Sequence, residues 1–226
     1  TVMVCYGGDG TLLEGVHRLD GRELPVIGVN SGHLGFLAMA PKENIESIFD
    51  EIAAGNLKLE RRSMLEISGI PGIGKQSLHA LNESAVQRLG ATMISINTYV
   101  DGQMTATYNG NGVIISTPTG STAYSLSAGG PIITPACNCL AISPLSAHNL
   151  AIRPLVVPDS SEIRLEIDTR ETPATVSADN RTYEITGHVS LTVKRAQRSI
   201  FLAVPHNISF YDTLRNKMMW GVDVRM

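Results

Sequence analysis

The chain has 226 residues, enough for one large domain or two small ones, each able to bury a core. Its 43% hydrophobic and 17% charged residues fit an ordinary globular protein. The net charge is −3 and no run of Lys or Arg exceeds a pair such as Arg61-Arg62, which argues against a nucleic-acid groove or an anionic-membrane patch. The three cysteines, Cys5, Cys137 and Cys139, form no Cys-x-x-Cys pair, and Cys5 lies in an apolar run, as expected in a reduced compartment. No apolar stretch approaches the roughly 20 residues of a membrane span, and no signal-peptide pattern opens the chain, so a cytoplasmic location is expected.

In chain order, residues 2–6 read as a buried parallel strand, 11–19 as a helix and 25–29 ("PVIGV") as a second strand. A helix from Pro41 to about Ala54 follows, with Pro in its first turn and Gly55-Asn56 as its stop. Alternating strand and helix imply a parallel, Rossmann-like sheet. Two strands do not complete such a sheet, so further strands before Thr1 or from another segment are expected.

From residue 57 strands dominate, at 57–67, 78–87, 93–100, 103–108, 112–117, 162–168, 174–178, 182–186, 189–195 and 199–204. Asp101-Gly102 is a two-residue hairpin signal, and Asp179-Asn180 reads as a similar turn. One helix interrupts the strands at "STAYSLSA", with Ser121 or Thr119 as N-cap and Gly129-Gly130 as stop. The last, "SFYDTLRNKMMWG", carries Ser209 and Asp212 at capping-box spacing, with Gly221 closing it. The expected architecture is an α/β N-terminal domain, incomplete at its start, followed by an antiparallel, sandwich-like β-rich domain. The boundaries read as 1–58 plus 207–226 for the first and 59–206 for the second.

Four motifs carry chemistry. Gly7-Gly8-Asp9-Gly10-Thr11 sits at a strand-to-helix turn, where glycine amides and a helix N-terminus make a nest for phosphate. A carboxylate in such a nest repels phosphate unless a metal or a hydroxyl stands between them. That combination suggests phosphoryl transfer, with Asp9 accepting the proton of an attacking hydroxyl. The bland alternative is a tight turn in which Asp9 caps the helix. The second motif, "NSGHLGFL" at 30–37, offers another close backbone approach; its His33 is read as making a local hydrogen bond. In the third, Asn82-Glu83, a carboxylate suits ribose hydroxyls, although an edge strand would also tolerate the pair. In the fourth, "STPTGSTAYSLSAGGPI" at 116–132, small hydroxyl residues lead into a helix and Tyr124 offers a flat face for a base or a nicotinamide ring. A Ser/Thr-rich linker is the alternative there.

Together the four motifs resemble the NAD kinase family: its GGDGT loop, its N-x-G-x-L-G-F segment, its Asn-Glu pair and its "TPTGSTAY" signature at 117–124. "LRNKMMWG" is similar to the family's C-terminal helix, and the resemblance runs from residue 2 to 221. It implies transfer of the γ-phosphate of ATP, or of polyphosphate, to the 2′-hydroxyl of the adenosine ribose of NAD. A divalent cation such as Mg²⁺ and a homodimer or homotetramer are implied with it.

Carried over residue by residue, Asp9 is the general base, and Gly7, Gly8, Gly10 and Thr11 hold the donor's phosphates. Asp9 and Gly10 also face NAD. Asn82 and Glu83 bind adenine and ribose, while Thr119, Thr122, Ala123, Tyr124 and Ser127 line the dinucleotide site. No metal ligand is assigned. His148, before the family's R-P-L-V strand, is read as structural. Asn111 stands where family members commonly carry an Asp that touches the nicotinamide end, often from a neighbouring subunit. Its amide keeps a carbonyl, gains two donors and loses the charge. Two alternatives stay open: a lipid kinase acting on diacylglycerol or sphingosine, which shares GGDGT, and a dinucleotide-binding protein without turnover.

Overall fold

The computed structural model describes residues 1–221 apart from 33, 34, 171 and 207. They fall into two units, Thr1–Arg62 with Ser199–Met226, and Ser63–Arg198. The chain therefore crosses a few residues later, and returns earlier, than composition suggests.

In the first unit β1 (Met3–Gly7) leads into α1 (Asp9–Arg18), and β2 (Val26–Asn30) pairs with β1 in parallel register, Met3 opposite Val26 through Gly7 opposite Asn30. All five residues of β2 are buried, as an interior parallel strand requires. Leu12, Gly15 and Val16 form the buried stripe of α1, and Leu19 is buried at its C-cap. That helix packs closely on β1: a Cβ at Gly15 would lie 2.4 Å from the Cys5 sulfur. The short β3 (Ala40–Pro41) adds a further parallel partner to β2. A 3₁₀ turn at Lys42–Asn44 then opens α2 (Ile45–Ala54), which ends on left-handed Gly55. Ile27, Val29, Ala40, Ile48 and Ala203 form a buried cluster.

Strand β4 (Lys58–Ser68) carries the chain into the second unit, and β5 (Leu78–Ala80) pairs with it antiparallel. The expected strand 78–87 is in fact two. After a break at Leu81-Asn82 the chain resumes as β6 (Glu83–Arg88) in a different sheet. β7 (Ile94–Val100) and β8 (Gln103–Gly110) form the hairpin signalled by Asp101-Gly102, both of which adopt positive φ. β9 (Gly112–Ser116) then leads to a 3₁₀ turn at Thr119–Thr122, followed by the single-turn α3 (Tyr124–Ser127).

No side-chain cap opens either helical piece, so the expected N-cap roles of Ser121 and Thr119 do not hold. Instead the Ser121 hydroxyl donates to Pro118 O at 2.7 Å and accepts from Ile133 N–H at 2.9 Å. An unexpected strand follows, β10 (Cys139–Leu145), then β11 (Leu155–Pro158) on the R-P-L-V segment, β12 (Ile163–Asp168), β13 (Ala174–Ala178) and β14 (Arg181–Ile185). The last strand, β15 (His188–Val204), is one continuous run where two were expected. Its end returns to the first unit, where Leu202 pairs parallel with Val26. α4 (Phe210–Met218) completes that unit, opened by the Ser209–Asp212 capping box and ended by left-handed Met219 rather than Gly221.

The second unit is a sandwich. One sheet runs β11-β10-β9-β6-β13-β14; the other pairs β12 with β15 and β7, and β7 with β8. Ile96 and Leu165 from one sheet, and Ile115 and Ile142 from the other, share a single buried core. The alternating burial of β12 and β7 shows strands covered on one face only. Among the described residues, no helix is long and apolar enough to cross a membrane.

Candidate active site

Two constellations carry the motifs, one in each unit. In the first, β1 ends at Gly7, whose φ of 154° and whose missing Cβ are both needed: a Cβ there would lie 2.3 Å from Thr11 Oγ1. Gly8 takes the N-cap position in extended conformation, and its carbonyl accepts from the Thr11 and Leu12 amides at 3.0 and 3.3 Å. Nothing lies within 4 Å of where a Cβ at Gly8 or Gly10 would stand. The turn therefore exposes bare backbone at the start of a helix, where the first N–H groups have no intrahelical acceptor.

Asp9 is the first residue of α1, and its side chain does not cap the helix. It reaches the second motif instead. Oδ2 accepts the Phe36 N–H at 2.9 Å, and Oδ1 accepts those of Leu37 and Ala38 at 3.1 and 2.9 Å. Gly35 makes this approach possible, because a Cβ there would sit 1.9 Å from Asp9 Oδ1. Asn30 steadies the same loop, donating to Ala38 O at 3.3 Å and accepting from Gly32 N–H at 2.7 Å. The reading of His33 falls outside the described residues.

The ammonium of Lys217, on α4, stands 3.9 Å from Asp9 Oδ2 and 4.8 Å above the centre of the Phe36 ring. The Phe36 ring in turn lies 6.3 Å from that of Phe210. Three amides and a cation thus surround a carboxylate whose side chain remains 31% exposed. This resolves the oddity of an acid in a phosphate nest, since its charge is answered locally. A carboxylate offers about four lone-pair positions. Oδ1 uses both of its own on Leu37 and Ala38, whereas Oδ2 spends one on Phe36.

In the second unit, Asn82 and Glu83 come together with the 116–124 segment. Thr117 donates its N–H to Asn82 O at 2.9 Å and its hydroxyl to Leu81 O at 2.6 Å. Gly120 packs so closely that a Cβ would lie 2.1 Å from Asn82 O. The Glu83 carboxylate, 9% exposed, accepts the Tyr124 N–H, and its Oε2 is buried with no hydrogen-bond partner. Burial foremost, then the nearby Asp179 carboxylate, push its pKa up to about 8. Asn82 Oδ1 and Ser116 Oγ are likewise buried without partners. The Tyr124 hydroxyl donates to Gln87 Oε1 at 3.3 Å, so this residue runs alongside β6 from Glu83 toward its far end.

Asn111 sits at that far end. Its Oδ1 accepts from Arg88 Nε at 2.6 Å, and its backbone bonds Arg88 and Leu145. Thr119 is buried, Thr122 and Ala123 are half-buried, and Tyr124 and Ser127 are exposed. The motifs did not announce the amides of residues 36–38, Lys217, Arg88, or Asp179, whose carboxylate accepts from the Leu81, Asn82 and Glu83 amides at 2.7, 2.8 and 3.2 Å. Among the described residues, no group of three or more His, Cys, Asp or Glu side chains is placed to hold a metal ion.

The chain is similar to known proteins along nearly its whole length. Residues 1–57 match the ATP-NAD kinase N-terminal domain family and residues 81–205 the ATP-NAD kinase C-terminal domain family. The NAD kinase of Christiangramia forsetii is 42% identical over 224 residues, 98% of this chain and 76% of that protein. That of Cytophaga hutchinsonii is 40% identical over 225 residues, 99% of this chain and 77% of its own. Among solved structures, yeast NADH kinase complexed with NADH superposes with a TM-score of 0.92 at 25% identity, covering all of this chain and 68% of that one. An Archaeoglobus fulgidus NAD kinase in complex with ATP gives 0.80 at 29% identity, covering 96% and 80%. With both domain models matched in order and relatives at about 40% identity over nearly all of this chain, the chain belongs to the NAD kinase family.

Proposed function

We infer that the protein acts as an NAD kinase, moving the γ-phosphoryl group of ATP to the 2′-hydroxyl of the adenosine ribose of NAD. The observation that carries the reading is Asp9, held by three loop amides in an open glycine turn with Lys217 beside it. Family membership favours this reading over a lipid kinase or a binding protein without turnover.

In this reading Gly7, Gly8, Gly10 and Thr11 receive the donor's phosphates, with Lys217 adding positive charge. Asp9 Oδ2, the oxygen with a lone pair to spare, accepts the proton as the ribose oxygen bonds to the γ-phosphorus and ADP leaves. Asp9 and Gly10 also face the acceptor sugar. A weak base suffices, because the loose transition state depends mainly on alignment and charge compensation. Asn82 and Glu83 take adenine and ribose, and Thr119, Thr122, Ala123, Tyr124 and Ser127 form the walls around the dinucleotide. Asn111 lies beside Arg88, five residues of strand beyond Glu83, about 17 Å at roughly 3.3 Å per residue, which suits the nicotinamide end. With Arg88 holding its carbonyl, its amide N–H₂ is the group left to offer.

Asp9 is the only acid in the glycine turn, and a lone carboxylate fits Mg²⁺ carried in on nucleotide phosphates rather than a resident ion. The cation supplies charge neutralisation on the phosphates when bound. A cytoplasmic location and a homodimer or homotetramer complete the proposal; light scattering of the purified protein reads the latter.

The deciding experiment incubates the protein with ATP or polyphosphate, Mg²⁺ and, side by side, NAD, NADH, diacylglycerol and sphingosine. Formation of NADP or NADPH is expected. Phosphorylation of lipid alone, or tight NAD binding with no product, would end the reading.

A further inference from the structure

The break between β5 and β6 creates a problem of unpaired backbone. β5 bonds β4 in one sheet, and β6 bonds β9 and β13 in the other, so the chain changes sheets at Leu81-Asn82. Three successive N–H groups, those of Leu81, Asn82 and Glu83, enter this crossing at buried residues. Buried donors without partners are costly, so something must gather them.

Asp179 does so. Its Oδ2 accepts from Leu81 at 2.7 Å, and its Oδ1 accepts from Asn82 and Glu83 at 2.8 and 3.2 Å. Its own N–H donates back to Glu83 O at 2.9 Å, making four hydrogen bonds between one residue and one turn. To aim its side chain this way Asp179 adopts φ +51° in the β13–β14 turn, a left-handed conformation that few non-glycine residues take. Thr117 and Gly120 hold the opposite, carbonyl side of the crossing.

We propose that Asp179 is a positioning residue of the dinucleotide site, fixing the direction in which Asn82 and Glu83 present their side chains. The inference rests on the assignment of those two residues to NAD. Asp179 acts through them and need not touch the substrate. Its charge also faces Glu83, which meets the Tyr124 N–H on its other side, while Arg181 faces Asp179. Loss of the Asp179 charge therefore lets Glu83 ionise at lower pH.

The test is Asp179→Asn, which keeps the shape and one acceptor oxygen but turns an N–H₂ toward an N–H. KM for NAD is expected to rise about tenfold, with KM for ATP and kcat within about twofold of wild type. Any titration in the pH profile of kcat/KM for NAD should move to lower pH. A clamp that merely supports the fold would move neither KM selectively nor the profile. Should Asp179→Asn not hold its fold, Thr117→Val removes the hydroxyl bond to Leu81 O on the other side of the same turn. KM for NAD should then rise about threefold, with KM for ATP unchanged. In a wild type that forms NADP, an unchanged KM for NAD, or an equal rise in both KM values, overturns the inference and leaves the kinase reading standing.

Discussion

Asp9 and Asp179 solve the same problem in the two units: each gathers three consecutive backbone amides of a distant segment. Their surroundings differ in sign. Asp9 has the Lys217 ammonium 3.9 Å away and leaves 31% of its side chain exposed. Asp179 has a second carboxyl group, that of Glu83, beside it, and burial raises the pKa of both. A carboxylate with its charge answered leaves room for an anion to approach, which a phosphate-handling turn requires. Two crowded, buried acids favour the proton on one of them, which suits the neutral, hydrogen-bonding adenosine of the proposed reading. In the proposed reading the same fixture serves opposite ligand chemistries, according to whether its neighbour is a cation or an acid.

The sharpest way to break this contrast is at Asp9. Asp9→Asn keeps an oxygen for Leu37 and Ala38 but loses the free lone pair on Oδ2. NAD binding by calorimetry should persist while kcat falls by at least about a hundredfold, the scale of a proton-transferring side chain. Equal turnover in mutant and wild type would remove the carboxylate from the chemistry. Glu83→Ala comes next. It deletes the buried carboxyl proposed to bind the adenosine, and KM for NAD should rise about 10- to 100-fold, from the roughly 1.5–3 kcal/mol of a hydrogen bond to a charged or strongly polar group. KM for ATP should hardly move; an unchanged KM for NAD would contradict the assignment.

Much of this was legible locally. Gly55, the Asp101-Gly102 hairpin and the Ser209–Asp212 capping box act within a few residues and read correctly from their letters. β10 escaped notice because Pro144 interrupts an otherwise apolar run, yet it sits opposite Val113 in the sheet. The apolar pattern of 78–87 gives no sign that the chain changes sheets, since both halves are buried. GGDGT and "NSGHLGF" each stood out, but their connection through Asp9 spans 27 to 29 residues. Asp179 was visible only as a turn residue, because its acceptor role depends on amides 96 to 98 positions away. Lys217 lies more than 200 positions along the chain from Asp9, and only folding brings the two together. Propensity and caps are encoded nearby; the gathering of backbone amides is a tertiary event.

Lys217 offers a finer test of the charged half of the comparison. Lys217→Met keeps the stem over Phe36 and removes the ammonium. Both members of the pair are about a third exposed, so solvent screens the interaction and its effect is modest. KM for ATP should rise about two- to fivefold, more at low salt than at high, with KM for NAD steady. A selective rise in KM for NAD would show that the cation serves the other substrate.

The smallest effect concerns stability and tests the acidic half. In the unfolded chain Glu83 releases its proton near its ordinary value of 4.5, whereas in the fold it holds the proton up to about 8. Between those values the native state binds the extra proton, so this group's contribution to stability is full below about 4.5. It is lost progressively as pH rises and levels off once the folded group has ionised near 8. Glu83→Gln has no such titration but a similar shape. Asp179, whose pKa is raised chiefly by burial, contributes to both proteins and largely drops out of their difference. The mutant's Tm relative to wild type should therefore climb between pH 5 and pH 9, by on the order of 5 °C for a chain of this size. A difference that stays flat across that range would mean that Glu83 is ionised in the fold at neutral pH. The buried surroundings of Glu83 would then have to stabilise a charge, as the Asp9 turn does.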